Sequence, residues 1–366
     1  GGLALEESLV TGRIATFKVA TDFSANLTVG GGSGRIDKLF IGGSLTPLPE
    51  VNTSGRIVAD SLGSISIPGS TTGFLITSGS MGNLKIGGSI AGGGIAITES
   101  AGNIAVGGGI GAGLLGGSLL VQGSAKSLKV EGSVDSSITV SGTLKTLRIG
   151  GDIGGGMDSF GQIAIGGSNS SAVILGNIGG ASPFGGELRI FGSAGNILVH
   201  GSLVGSDGSG SGSIDISGSA KKLTVIGDVV GSTGTNSGQI TVSGTTGTLV
   251  VGGSVIGGDG SGSGLVVLEE SVKSLTIRGS VIGGSGSRAG SVSVNAPAGV
   301  VLIGGGVIGG SENSAGSISI DGAVNALTIR GSIIGGTDSS TGEVDTDGLV
   351  KKALIGGSVI GGPKGS

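Results

Sequence analysis

"LTIRGSVIGG" (275–284), "LTIRGSIIGG" (327–336) and "LVVGGSVIGG" (249–258) are near copies of one another. Ser211, Ser237, Ser263, Ala289, Ala315 and Thr341 open successive units, each 26 residues after the last. One unit reads "SGQITVSGTTGTLVVGGSVIGGDGSG" and the next "SGLVVLEESVKSLTIRGSVIGGSGSR". Within a unit the apolar residues recur at spacings of two, as at Val292, Val294, Val301, Ile303 and Val307, and again at Ile318, Ile320, Leu327, Ile329 and Ile333. Spacing of two is the strand period, because alternate side chains point to the same face. Nothing repeats at the helical period, so almost no helix is expected.

Outward from these units the pattern loosens. Residues 116–134, "GGSLLVQGSAKSLKVEGSV", are a unit without its trailing loop. Further upstream, "TGRIATFKVA" and "SGRIDKLFIGGSL" align on Ile14/Ile36, Phe17/Leu39 and Val19/Ile41. Strands of about four residues bury too little to stand as isolated hairpins. If each unit makes one coil, like positions stack and the columns form a continuous aliphatic interior. The expected fold is all-β: a single-stranded parallel β-helix of about fifteen coils of roughly 19–26 residues. Loop-bearing coils of unequal length favour right-handed winding. The whole chain, 1–366, reads as one continuous solenoid, with irregular coils over 1–91, short coils over 92–184 and regular coils over 185–366.

Composition agrees. Gly supplies 88 of 366 residues, yet Ile, Val and Leu are regularly spaced and only 12% of residues are charged, unlike a disordered chain. Gly at unit position 2 (Gly212, Gly238, Gly264, Gly290, Gly316, Gly342) and near position 17 (Gly253, Gly279, Gly305, Gly331, Gly357) is expected at corners that need positive φ. Trp and Tyr are absent and Phe occurs seven times, as a narrow interior requires. With no Cys there is no disulfide or thiolate chemistry. A net charge of −4 leaves no nucleic-acid footprint. No apolar run is long enough for a membrane-spanning helix. The chain begins at Gly1 without a signal-peptide pattern and reads as a processed product or part of a longer polypeptide.

Chemistry-bearing residues are sparse. The single His, His200, follows an inward Val199 and is expected to face solvent. Glu269 and Glu270 sit on a corner, and Glu343, Asp345 and Asp347 alternate along the last unit; both groups read as solvated charge. Asp207 and Asp259 open Gly/Ser loops that only partly match calcium-binding repeats. No catalytic residue, cofactor site or metal site is expected, and the chain is not read as an enzyme.

Three surface features remain. Asn26, Asn52 and Asn169 head glycosylation sequons. Val204, Val230, Ile256, Ile282, Ile308, Ile334 and Ile360 share position 20. They form either a second interior column roofed by the loop or an exposed stripe for lateral contact between fibres. Lys126, Lys145, Lys221, Lys273 and Lys351 share position 11, expected on a turn, where they solvate the surface or meet an anionic polysaccharide or a neighbouring fibre. Thr224, Thr276 and Thr328 share position 14 but are interrupted by Val250, Leu302 and Leu354, too irregular for an ice-binding array.

With "GSIDISGSAKKLTVIGDVVGS" (212–232) and its copies, the chain resembles bacterial secreted parallel β-helix proteins of the β-strand-repeat, adhesin-like kind. That resemblance implies an extracellular or cell-surface fibre, sheath or adhesin. The chain departs from pectate-lyase-like β-helix enzymes in lacking asparagine ladders and clustered catalytic charges. The last unit stops in phase and neither end looks capped. The expected function is therefore structural: a filament subunit, or a segment of a long surface stalk, joined end to end through open β edges. An adhesin shaft or glycan-binding module is the alternative. Its partners are then itself, and a polysaccharide or cell surface, with no nucleic acid and no membrane span.

Overall fold

The structure is a computed structural model and describes residues 8–47, 55–77, 79–111, 117–154, 161–180 and 185–363. All named elements are β-strands, and the named pairings are parallel, so the chain is an all-β parallel β-solenoid. Its contacts fall into two compact units: Gly1–Gly151 with Ile163–Asn169, and Asp152–Gln162 with Ser170–Ser366.

In the second unit each rung has three faces. The first carries Glu187–Ile190, Ser213–Ile216, Gln239–Val242, Leu265–Leu268, Val292–Val294, Ile318–Ile320 and Val344–Thr346. The second runs from Ala194–Val199 through Ala220–Val225, Thr246–Val251, Val272–Ile277, Ala298–Ile303 and Val324–Ile329 to Ala353–Ile355. The third is a sheet of two-residue strands from Ile178–Gly179 to Val359–Ile360. Register follows the sequence period: Val292 pairs with Ile318, Val301 with Leu327 and Val307 with Ile333. Like residues therefore stack in columns, and Val292, Val294, Val301, Ile303 and Val307 are all buried.

The first unit follows the same plan with shorter rungs. Its third face is reduced to single bridges, Phe23 to Leu45, Leu45 to Thr71, Thr71 to Ile90 and Ile90 to Ile110. Its opening rungs differ from the four-residue expectation. Ser8–Val19 and Asn26–Ile41 each run unbroken through two faces, with a register shift beside Gly12, Gly31 and Gly32. Here Phe17 and Phe23 meet edge to face, centroids 5.9 Å apart.

A further inward column had no counterpart in the apolar count. Ala125 and Leu144 in the first unit, and Ala194, Ala220, Thr246, Val272, Ala298 and Val324 in the second, are buried at the start of the second face. Its small and mixed residues hide it from a hydrophobic pattern.

The two glycine columns have different causes. Position 2 is left-handed as expected; Gly290 has φ 67° and a Cβ there would strike the Ile282 carbonyl. The position-17 glycines do not have positive φ. At Gly253, Gly279, Gly305 and Gly357 the polar side chain of the rung below occupies the space a Cβ would take, as Ser254 Oγ beneath Gly279 and Ser280 Oγ beneath Gly305; at Gly331, over Gly306, backbone atoms of Gly305 and Gly306 do so.

Those side chains form a ladder. Ser254 N–H donates to Asp228 Oδ1 (2.6 Å), Ser280 N–H to Ser254 Oγ (3.1 Å), and Gly306 N–H to Ser280 Oγ (3.1 Å). Asp152, Asn177 and Ser202 supply the earlier steps of this unit. In the first unit Asp22, Ser44, Ser70 and Ser89 do the same. The corner N–H groups are thus satisfied without water, and the "GS" dipeptide is the sequence trace of the ladder. A polar ladder exists after all, built mostly of Ser rather than Asn.

The loops stack too. Gly210, Asn236, Gly262, Arg288, Ser314 and Ser340 occupy one column, all with positive φ between 53° and 72°. For the non-glycine members other than Asn236 this conformation costs about 1 kcal/mol each.

Three outcomes are expected from urea unfolding. Ile318→Asp or Ile329→Asp, at fully buried positions, lowers stability by at least about 4 kcal/mol, because an unpaired charge replaces an aliphatic contact. Gly279→Ala lowers it by about 1–3 kcal/mol through overlap with Ser254 Oγ. Ser340→Gly raises it by up to about 1 kcal/mol by relieving the left-handed strain. A midpoint unchanged by both Asp substitutions would contradict the aliphatic interior.

Candidate functional site

Of the expected lysine column, Lys126, Lys145, Lys221 and Lys273 lie within strands, not on a turn: they are the second residues of Ala125–Val130, Leu144–Ile149, Ala220–Val225 and Val272–Ile277. Only Lys351 stands outside, just before Ala353–Ile355. All five side chains are exposed. They face outward because the ladder skips this position: Ala125 pairs with Leu144 and Ser127 with Thr146, leaving Lys126 and Lys145 between.

In the second unit the column alternates. Lys221, Gly247, Lys273, Gly299, Asn325 and Lys351 follow one another, and Lys351 Nζ donates to Asn325 Oδ1 at 2.8 Å. A Cβ on Gly247 or Gly299 would overlap the Lys221 or Lys273 carbonyl of the rung below. Lys273 therefore stands in an open groove of about 470 Å³ whose lining includes Gly247, Gly299, Thr245, Ser271, Pro297 and Asn325.

The lysines are part of a wider segregation of charge. The second-face strands of the first unit, Ser61–Ile67, Leu84–Ile86, Ala101–Val106, Ala125–Val130 and Leu144–Ile149, contain Lys85, Lys126, Lys129, Lys145 and Arg148 and no acidic residue. In the second unit the strands from Ala194–Val199 to Ala353–Ile355 contain Lys221, Lys222 and Lys273, again with no Asp or Glu. In the second unit the first face carries the acids Glu187, Asp215 and Asp345, with Arg189 paired to the first two, while in the first unit its strands from Arg56–Ala59 to Ser137–Val140 carry no acid. Lys85, Lys129 and Arg148 were missed because the position-11 lysines were read alone. The readable signal is the absence of carboxylates from the "AKSLKV"-type segments after the opening rungs; the earlier segment "RIDKLFI" (35–41), on the same face, carries Asp37.

Two ion-paired clusters involve this face in the first unit. Asp37 accepts from Arg13 Nε at 2.7 Å and from Arg35; Arg13 first and Arg35 with it hold the Asp37 carboxyl below its ordinary range. Glu131 pairs with Lys129, whose hydrogen bond lowers the carboxyl, with Arg148 adding to the effect.

The other expected sites disperse. The position-20 side chains Val230, Ile256, Ile282, Ile308 and Ile334 are half-buried, between the interior and exposed alternatives, and Ile360 is exposed. Asn169 is 1% exposed and its Nδ2 donates to the Leu144 carbonyl at 2.8 Å. It belongs to the buried column and presents no surface acceptor for a glycan. Asn26 is half-buried and its Oδ1 accepts from Arg56 N–H at 3.2 Å; Asn52 lies outside the described residues. His200, Glu269, Glu270, Glu343, Asp345 and Asp347 are exposed. The loop carboxylates engage hydroxyls of the next rung: Thr233 Oγ1 donates to Asp207 Oδ1 at 2.6 Å, and Ser285 Oγ donates to Asp259. Among the described residues no group of three or more His, Asp or Glu side chains converges as metal ligands would.

Comparison with family models, with curated proteins and with solved structures gave no match.

The ion pairs carry a pH dependence. A carboxyl whose folded pKa is depressed contributes stability above its unfolded pKa and loses it as pH falls through the folded value. The melting temperature of the wild type therefore falls on acidification below the ordinary carboxylate range. Asp37→Asn melts slightly lower at neutral pH and loses less on acidification, a small effect because these pairs face solvent.

Proposed function

We propose that the protein is structural: an extracellular or cell-surface element, a fibre subunit or a segment of a stalk, that joins end to end through open β edges. The observation that supports this reading is the rung-to-rung repetition itself. Backbone ladders, aliphatic columns and the Ser-rich ladder all run along one direction. Each added rung meets the one before it with the same contacts, so length grows without new kinds of interaction. Val281 and Val307, with a rung on either side, are buried, whereas Val359 is 68% exposed; a rung of the same pattern laid against Val359–Ile360, from further chain or from a second copy, would make the same contacts. In this reading the protein performs no chemical step.

A second reading, an adhesin shaft or glycan-binding module, is favoured by the cationic sheet face.

Negative-stain microscopy and native mass measurement test the first reading. Threads of uniform width and a mass of many copies are expected. Val359→Lys with Ile355→Lys shortens the threads and leaves the melting transition in place. A monodisperse monomer at high concentration would overturn assembly through this edge.

A further inference from the structure

The cationic face of the first unit is built more tightly than its lysine count suggests. Leu84–Ile86, Ala101–Val106, Ala125–Val130 and Leu144–Ile149 are successive rungs, spaced about 4.8 Å apart. One outward column reads Lys85, Ala105, Lys129, Arg148 by register. Beside it Asn103 Nδ2 donates to Asn83 Oδ1 (3.0 Å) and Ser127 Oγ donates to Asn103 Oδ1 (2.8 Å), with Thr146 next in register. Lys126 and Lys145 stand along the edge. Lys85, Lys126, Lys145 and Arg148 are exposed. Of the acids near these cations in sequence, Glu131 pairs with Lys129 and also feels Arg148, Glu99 Oε2 accepts from Ser80 Oγ at 2.7 Å, and Asp152 Oδ1 accepts from Asn177 N–H at 2.6 Å. On a chain of net charge −4, this is a local excess of cations on a pleated, open surface with amide and hydroxyl groups running beside them.

From this geometry we infer that this face of the first unit binds a linear anionic polysaccharide, its carboxylate or sulfate groups on Lys85, Lys126, Lys145 and Arg148 and its hydroxyls on the Asn83–Asn103–Ser127 row. Three features favour that partner. The cations lie along the rung axis, where an extended polymer can follow them. The neighbouring groups are neutral donors and acceptors suited to sugar hydroxyls. The strands from Leu84 to Ile149 on this face carry no aromatic ring, so the stacking platforms that single-stranded nucleic acids use are missing. The inference shares with the adhesin reading the premise that the surface takes a glycan. It is independent of end-to-end assembly: thread formation and polyanion binding are separate readouts, and either can fail alone.

The test uses the full chain on immobilised polygalacturonate and dextran sulfate, with neutral dextran as the blank and duplex DNA as competitor. Binding to at least one polyanion is expected, with none to neutral dextran. It should weaken as NaCl rises from about 0.05 to about 0.5 M, as charge screening requires. Lys85→Gln/Lys126→Gln/Lys145→Gln/Arg148→Gln should weaken it at least about tenfold through lost counterion release. The three-lysine variant Lys85→Arg/Lys126→Arg/Lys145→Arg should retain it and serves as the folding control. The carboxylate and sulfate arms decide which anion is preferred. Undiminished binding by the Gln variant would overturn the inference. So would loss of binding through Lys221→Gln/Lys222→Gln/Lys273→Gln instead, or stronger binding to duplex DNA with the same dependence on these four cations.

Discussion

Everything in this molecule depends on stacking in register. A rung has no core of its own; its inward Ile, Val and Leu side chains leave water only when the same positions of the adjacent rung lie against them. The constraint is strict because strands alternate faces: a slip of one residue would turn Ile318 and Ile320 outward and their polar neighbours inward. A constant 26-residue period in the second unit is the simplest way to satisfy it. Loops therefore vary in composition much more than in length.

The same constraint explains why so much of the chain is Gly and Ser. Corners bring backbones of adjacent rungs close, and their N–H groups need acceptors where no strand pairing exists. A short hydroxyl or carboxylate on one rung supplies the acceptor, and the residue above must then have no side chain. Gly279 over Ser254 and Gly305 over Ser280 are the two halves of one arrangement. Bulk and polarity are traded between rungs, not within them.

The fold class, the register and most of the interior could be read directly from the sequence, because Val292, Val294, Val301 and Ile303 repeat at strand spacing with the same period as their partners. The inward column through Ala220, Thr246 and Ala298 could not, since small and hydroxylated residues carry no hydrophobic signature. The burial of Asn169 was not legible either: a sequon describes three residues in line, whereas burial is decided by Leu144 one rung away. The position-17 glycines had the right identity and the wrong cause, because positive φ is a local property and the clash with Ser254 is not. The candidate surface was half legible. The lysine column was visible, but Lys85, Lys129 and Arg148 join it only when the strands are laid side by side.

The pairing of a small hydroxyl with a bare backbone position one turn further on has an evolutionary corollary. A side chain added at the bare position is vetoed by its neighbour, so drift by single changes is slow there, whereas the polar position varies among Asn177, Asp228, Ser254 and Gly306. Gain or loss of an entire period leaves every such partnership intact. A gene of this kind is free to lengthen and shorten by recombination between its own copies, and self-similarity in the polypeptide is then the mark of that route as much as of selection on any one side chain.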